Sequence, residues 1–294
     1  MFRFKINLSS IKFTLFIFMF LIVSTQVAAQ ENVKEEASYP QDLAQDDSFE
    51  TLFALYQPYL ENIGAYNPIY FLIGSNPKKS KFQFSFKYKF YNPENDFDHY
   101  RNLSEGIFFA YTQTSFWDLK SDSKPFEDTS YKPEMFFMSS NLYSGANKFT
   151  QFFFSTGLQH ESNGKSEMNS RSTNFIYFEP NLICYDKDTS LGLQIFPRIW
   201  TYFENDNQTN EDLKDYRGYF DLGVRVGKAE KLVVESHLRA ARRGNSWELN
   251  FTYPMNIKNF ELYLQVQYSN ALAESLLNYK ERREALRIGF AVMR

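Results

Sequence analysis

Lys81-Phe82-Gln83-Phe84-Ser85-Phe86-Lys87-Tyr88-Lys89-Phe90 sets an aromatic ring at every second position and a polar or charged side chain between each pair. Successive side chains of an extended chain point to opposite faces, so this run reads as a strand with one apolar and one polar face. A helix would scatter the five rings around its circumference. The same alternation recurs to the last residue. Leu191, Leu193, Ile195 and Ile199 oppose Gln194, Arg198 and Trp200, and Phe220, Leu222, Val224 and Val226 oppose Arg217, Asp221 and Arg225. Leu232, Val234 and Leu238 oppose Glu235, His237 and Arg239, and Trp247, Leu249, Phe251 and Tyr253 oppose Glu248, Asn250 and Thr252. Phe260, Leu262, Leu264 and Val266 oppose Glu261, Gln265 and Gln267, while Leu286, Ile288, Phe290 and Val292 oppose Arg287 and Gly289.

A soluble sandwich also alternates, so segment length and the character of the polar face decide. The segments run about 10 residues, the length a tilted membrane strand needs, and the polar faces carry both charge signs, as a hydrogen-bonded barrel lumen does. About twelve strands are expected, near 65–74, 81–92, 104–118, 131–143, 150–163, 171–185, 190–204, 215–228, 230–241, 245–256, 259–270 and 283–293. The reading is an all-β, transmembrane antiparallel barrel over residues 64–294. An even count lets the sheet close without an unpaired edge in lipid. Gln113, Arg198, Glu235, Arg239 and His237 are expected in the lumen, and His99 in a loop.

Composition agrees. Of 294 residues, 43% are hydrophobic and 19% aromatic, with 32 Phe, 20 Tyr and 3 Trp, yet the mean hydropathy is −0.47. Past the first thirty residues no apolar stretch is long enough for a spanning helix, which excludes a helical multi-span protein. The balance of 32 basic and 35 acidic residues gives no electrostatic footprint for nucleic acid. Cys184, the single cysteine, has no partner for a disulfide or a Cys/His metal site and reads as a packed residue.

Arg3, Lys5 and Lys12 precede the apolar run from Phe13 to Val23, with Val27, Ala28 and Ala29 after it. Residues 1–29 are therefore expected to be an export signal, cleaved after Ala29. Residues 30–63 read as an acidic periplasmic arm with Glu31, Glu35, Glu36, Asp42, Asp46, Asp47 and Glu50, either a flexible tether or a docking element, ending in a short helix near 52–60.

One strand breaks the apolar rule. Phe152, Phe154 and Leu158 mark the even positions as lipid-facing, and His160 and Ser162 share that face. Polar groups facing hydrocarbon are costly unless paired or functional. On the next strand Ile176 and Phe178 mark the even face as outward, so Asn174 points out too. A hairpin centred on Glu167 sets His160 opposite Asn174. Two readings stand: a hydrogen-bonded polar patch at the membrane rim, or a line of nucleophile Ser162, base His160 and orienting Asn174.

The runs His160-Glu161-Ser162-Asn163-Gly164-Lys165-Ser166 and Ser170-Arg171-Ser172-Thr173-Asn174 resemble the signature of the outer membrane phospholipase A family, the calcium-dependent lipase barrels of Gram-negative bacteria. Similarity extends through Tyr66-Asn67-Pro68-Ile69-Tyr70, Tyr111-Thr112-Gln113, Ser123-Lys124-Pro125-Phe126, Tyr131, Glu274-Ser275-Leu276 and Tyr279. The resemblance implies a twelve-stranded barrel in which His160, Ser162 and Asn174 are the catalytic triad. It implies a catalytic Ca2+ held by the Lys165 carbonyl and the Ser170 hydroxyl, completed across a homodimer by the carbonyl of Ser123. It also implies a phospholipase A1/A2 that hydrolyses sn-1 and sn-2 esters of phospholipids and lysophospholipids, is activated by dimerisation and resides in the outer membrane. Two positions depart from the family: Lys165 replaces a usual arginine and Thr173 a common aromatic. The sequence also ends Val292-Met293-Arg294, where membrane barrels commonly end in an aromatic. The competing classes are a non-enzymatic channel or structural barrel, and an enzyme remodelling lipopolysaccharide acyl chains.

Overall fold

The computed structural model describes residues 62–91, 105–144, 149–186, 188–205, 208–228, 230–257 and 260–294. The expected export signal, the acidic arm up to residue 61 with its short helix, and His99 lie outside these residues.

The described chain forms the strands β1 (Ile69–Gly74), β2 (Ser80–Tyr91), β3 (Gly106–Trp117), β4 (Phe126–Met138), β5 (Phe149–Ser162) and β6 (Ser172–Asp186). There follow β7 (Leu191–Phe203), a short helix α1 (Leu213–Arg217), β8 (Phe220–Gly227), β9 (Val233–Arg239), β10 (Ser246–Ile257), β11 (Phe260–Ala271) and β12 (Arg283–Met293). Each strand pairs antiparallel with its chain neighbours, and β12 pairs with β1, so the sheet closes on itself as a 12-strand barrel. Two-residue stubs at Ile63–Gly64 and Tyr143–Ser144 lie against β2 and β5. At the closing seam Gly289 faces Leu72, and a Cβ there would fall 1.9 Å from the Phe71 carbonyl oxygen. Only glycine admits that approach.

The two faces follow the alternation. Leu158, Ile176, Ile199, Phe251 and Ile288 are exposed on the outer wall, where lipid replaces water as the partner. The inner wall surrounds a cavity of about 780 Å³ crossed by ion pairs. Arg198 meets Glu134 at 3.1 Å, Arg287 meets Glu274 at 2.8 Å and Lys81 meets Glu248 at 3.3 Å. His237 lies between Asp221 at 3.0 Å and Glu235 at 3.1 Å. Buried charges persist only when paired in this way.

Three expectations are corrected. Gln113 is not in the lumen: it pairs with Phe84 and Tyr131 on the outer face, where it accepts from the Tyr111 hydroxyl and donates to Ser115. Parity misleads in β3 because the lumen is locally apolar. Phe108, Ala110, Phe136 and Tyr177 form a buried inner cluster against which Tyr66 packs. The fourth strand begins at Phe126 rather than near 131. Its start, Glu127 to Ser130, looks like loop, but Asp128 and Ser130 turn inward and are buried. The eighth strand is shorter than expected, because residues 213–217 form α1, which stops at Gly218 with φ +76°.

At the end of the barrel that carries the β5–β6 hairpin, the β7–β8 and β11–β12 connections pack together through Leu213, Ala273, Leu276 and Tyr279, all buried. The Tyr279 hydroxyl donates to Asp212, which Lys280 also meets at 2.9 Å. Burial and the adjacent carboxylate push the Tyr279 phenol up to about 12. Burial also raises the Asp212 carboxyl, but hydrogen bonds from Tyr279 and Lys280 outweigh it and hold the group below its usual range. The raised phenol contributes stability below its unfolded value of about 10, which is lost as pH climbs through the folded value. The depressed carboxylate contributes above about pH 4, and that part is lost as pH falls. The cap is thus expected to be firm between these limits. The check is the tyrosinate absorbance titration of wild type against Tyr279→Phe, in which the missing phenol ionises near 12; ionisation with the bulk tyrosines would contradict it.

Candidate active site

β5 and β6 are joined by the connection 163–171, and their register places His160 directly opposite Asn174 and Ser162 opposite Ser172. The turn centre at Glu167, expected from spacing, is the one observed. His160 Nδ1 lies 2.8 Å from Asn174 Oδ1. The orientation of that amide is fixed from its other side, because Asn174 Nδ2 lies 3.2 Å from the Glu204 carbonyl, which can only accept. The amide nitrogen therefore faces Glu204 and the oxygen faces the imidazole. This makes Nδ1 the protonated nitrogen of His160 and leaves the Nε2 lone pair as a base.

Ser162 lies two residues along the same outward face, its Cα roughly 6.6 Å from that of His160; the imidazole bonds to Asn174 and makes no hydrogen bond to the Ser162 hydroxyl. It pairs with Tyr131 of β4 on its other side. All three side chains are half-buried, open to the lipid side rather than to the lumen.

The 163–171 connection is organised by Asn163, which is buried. Its Oδ1 accepts from the backbone N–H of Lys165 at 3.3 Å and of Arg171 at 3.0 Å, and its Nδ2 donates to the Asn169 carbonyl at 2.9 Å. Gly164 follows at φ +63°, and a Cβ there would meet the Tyr131 ring at 2.8 Å. The Asn-Gly pair is thus dictated by the turn. In the sequence Asn163 shows only as the first residue of an Asn-Gly pair, a turn signal that does not reveal its hydrogen bonds to both arms of the connection.

Of the residues expected to hold calcium, Lys165 and Ser170 stand on the two arms of this connection. Ser123 stands on the separate, exposed β3–β4 connection. The Lys165 ammonium donates to the Glu127 carbonyl at 2.7 Å, so the lysine that replaces an arginine has a partner of its own. Among the described residues no group of three or more His, Cys, Asp or Glu is placed to hold a metal. The available donors are carbonyl and hydroxyl oxygens, a set that fits a hard cation such as calcium and predicts weak affinity. Thr173, at the position commonly aromatic, is fully buried and donates its hydroxyl to Asn205 Oδ1 at 2.5 Å.

A family profile described as phospholipase A1 matches residues 58–292. The putative phospholipase A1 of Neisseria meningitidis serogroup B is 29% identical over 220 residues, covering 72% of this chain and 53% of that protein. The phospholipase A1 of Escherichia coli K12 is 31% identical over 188 residues, covering 63% of this chain and 60% of that protein. The chain thus spans little more than half the length of these relatives. Among solved structures, outer membrane phospholipase A from Escherichia coli superposes with a TM-score of 0.63 at 22% identity, over 78% of this chain and 93% of the other. The Salmonella typhi outer membrane phospholipase, a dimer with bound calcium, gives the same TM-score and identity over 91% of its chain. At that identity the likeness speaks for the shared barrel fold.

Proposed function

This chain belongs to the phospholipase A1 family, and from that premise we propose that it is a calcium-dependent phospholipase of the Gram-negative outer membrane. It hydrolyses sn-1 and sn-2 acyl esters of phospholipids and lysophospholipids with a Ser162-His160-Asn174 triad and is active as a homodimer. The observation that carries the reading is the 2.8 Å contact between His160 Nδ1 and Asn174 Oδ1, on the same outward face as Ser162. An outward nucleophile near the strand end meets the ester bond of a lipid in its own leaflet, so substrate never has to enter the lumen.

In the reaction, Ser162 Oγ attacks the acyl carbonyl carbon while His160 Nε2 takes its proton. The tetrahedral intermediate collapses, the C–O bond of the ester breaks, and Nε2 returns the proton to the departing lysophospholipid oxygen. Water, deprotonated by the same nitrogen, then releases the fatty acid from Ser162. Asn174 keeps the imidazole in the needed tautomer, but as a neutral amide it lends the imidazolium little charge stabilisation. Calcium, when held by the Lys165 carbonyl, the Ser170 hydroxyl and the partner's Ser123 carbonyl, supplies Lewis-acid polarisation of the ester oxygen.

The test is fatty-acid release from phospholipid mixed micelles by refolded protein, run beside conductance in planar bilayers. Hydrolysis without conductance supports the enzyme. Conductance with no hydrolysis by a folded dimer would favour the channel reading, and release confined to lipopolysaccharide acyl chains would favour the remodelling enzyme.

A further inference from the structure

The side chain between base and nucleophile points the other way. Glu161 is turned into the barrel, buried, and grasped by Arg217 at the end of α1. Arg217 Nη1 lies 2.5 Å from Glu161 Oε2, and Nη2 lies 3.4 Å from Oε1. Both partners are almost wholly excluded from solvent. A two-pronged guanidinium–carboxylate contact fixes orientation as well as distance. It acts here on the backbone between His160 and Ser162.

The same β7–β8 connection touches the opposing strand at three successive residues. Asn210 spans Ser172, accepting from its N–H at 3.4 Å and donating to its carbonyl at 2.9 Å. Asn205 accepts from Thr173 at 2.5 Å, and the Glu204 carbonyl accepts from Asn174 at 3.2 Å. One connection therefore holds both strands of the site, gripping β6 at the rim and β5 from behind. Nothing in the proposed chemistry uses Glu161 or Arg217, yet a buried ion pair is a costly way to stabilise a wall that an apolar pair would stabilise as well.

We propose that Glu161 and Arg217 are positioning residues: their buried contact pins the His160–Ser162 segment so that the imidazole meets Asn174 in the productive geometry. This rests on the phospholipase reading for its consequence in catalysis, but not for its structural content. The test uses full-length protein refolded in detergent micelles, with Arg217→Lys and Glu161→Gln. Two quantities are read: the tautomer of His160 by 15N NMR of the labelled imidazole, and kcat and KM for micellar phospholipid. Unboiled gel mobility reports whether the barrel has formed.

Wild type is expected to show the Nδ1-protonated tautomer. Folded variants are expected to show a mixture of tautomers, with kcat lowered about tenfold or more and KM unchanged, as for a misplacement of reacting groups. A general loss of stability would not move the imidazole signal of the folded fraction. If Glu161→Gln fails to fold, Arg217→Lys carries the test, since it keeps charge and gives up only the forked contact. A folded variant that retains the wild-type tautomer would overturn the proposal, as would a shifted tautomer with unchanged kcat. If wild type itself releases no fatty acid, the phospholipase reading fails while the imidazole signal still decides whether the pin holds.

Discussion

Ser162→Ala is expected to lower fatty-acid release by at least about 10⁴-fold at unchanged KM, the loss seen when a hydrolase triad is deprived of its nucleophile. The substitution removes one oxygen from a half-buried position on the outer wall. Nothing in the register of β5 depends on that hydroxyl, because Ser162 is held to Tyr131 and Ser172 by pairing of the strands. The barrel should therefore fold as before, with the compact unboiled gel mobility of wild type. A second readout separates the nucleophile from a bystander. A sulfonyl fluoride should label wild type at one serine and leave Ser162→Ala unlabelled. Release that persists in Ser162→Ala would mean another nucleophile and would remove the triad from the mechanism. Asn174→Ala should cost less than Ser162→Ala, since it frees the imidazole to adopt the wrong tautomer without removing a reacting group.

The difference between these two effects also shows what the sequence made visible. His160 and Asn174 were legible as partners because both depend on local quantities: alternation marks the outward face, and a hairpin centred on Glu167 fixes the register. Strand number was legible for the same reason. What local pattern does not carry is the lumen. Gln113 faces outward against expectation because Phe108 and Phe136 occupy inward positions in a part of the lumen that is apolar, so hydrophobicity no longer distinguishes the two sides of β3. Asp128 and Ser130 precede the expected strand start near 131 because polar residues next to Pro125 look solvated until β3 is seen beside them. Arg217 shares the parity of the strand that follows yet closes α1, and its contact with Glu161, 56 residues away, belongs to tertiary structure alone. The reacting residues sit on neighbouring strands and are written in the sequence; those that hold them in place come from a distant connection and are not.

Removing calcium should also cost most of the activity, though less than removing the nucleophile and by a different route. Chelator is expected to lower hydrolysis by at least about a hundredfold, the scale of losing a principal stabiliser of the developing oxyanion, while leaving the barrel and the reactivity of Ser162 intact. The donor oxygens named for the cation are a carbonyl, a hydroxyl and a partner's carbonyl, with no carboxylate among them. Half-saturation is accordingly expected at about 10⁻⁴ to 10⁻³ M, the range of weak extracellular sites. Magnesium, which dehydrates reluctantly and demands a stricter geometry, should substitute poorly. Because one ligand is expected from the second protomer, apparent calcium affinity should rise with protein concentration in micelles, and crosslinked dimer should track activity. Ser170→Ala should shift the calcium dependence to higher concentration without changing the His160 tautomer, since Ser170 lies outside the contacts that hold the imidazole. Activity indifferent to chelator would leave the Ser162-His160-Asn174 line as a metal-independent esterase, and a calcium dependence untouched by both dilution and Ser170→Ala would place the cation away from this connection.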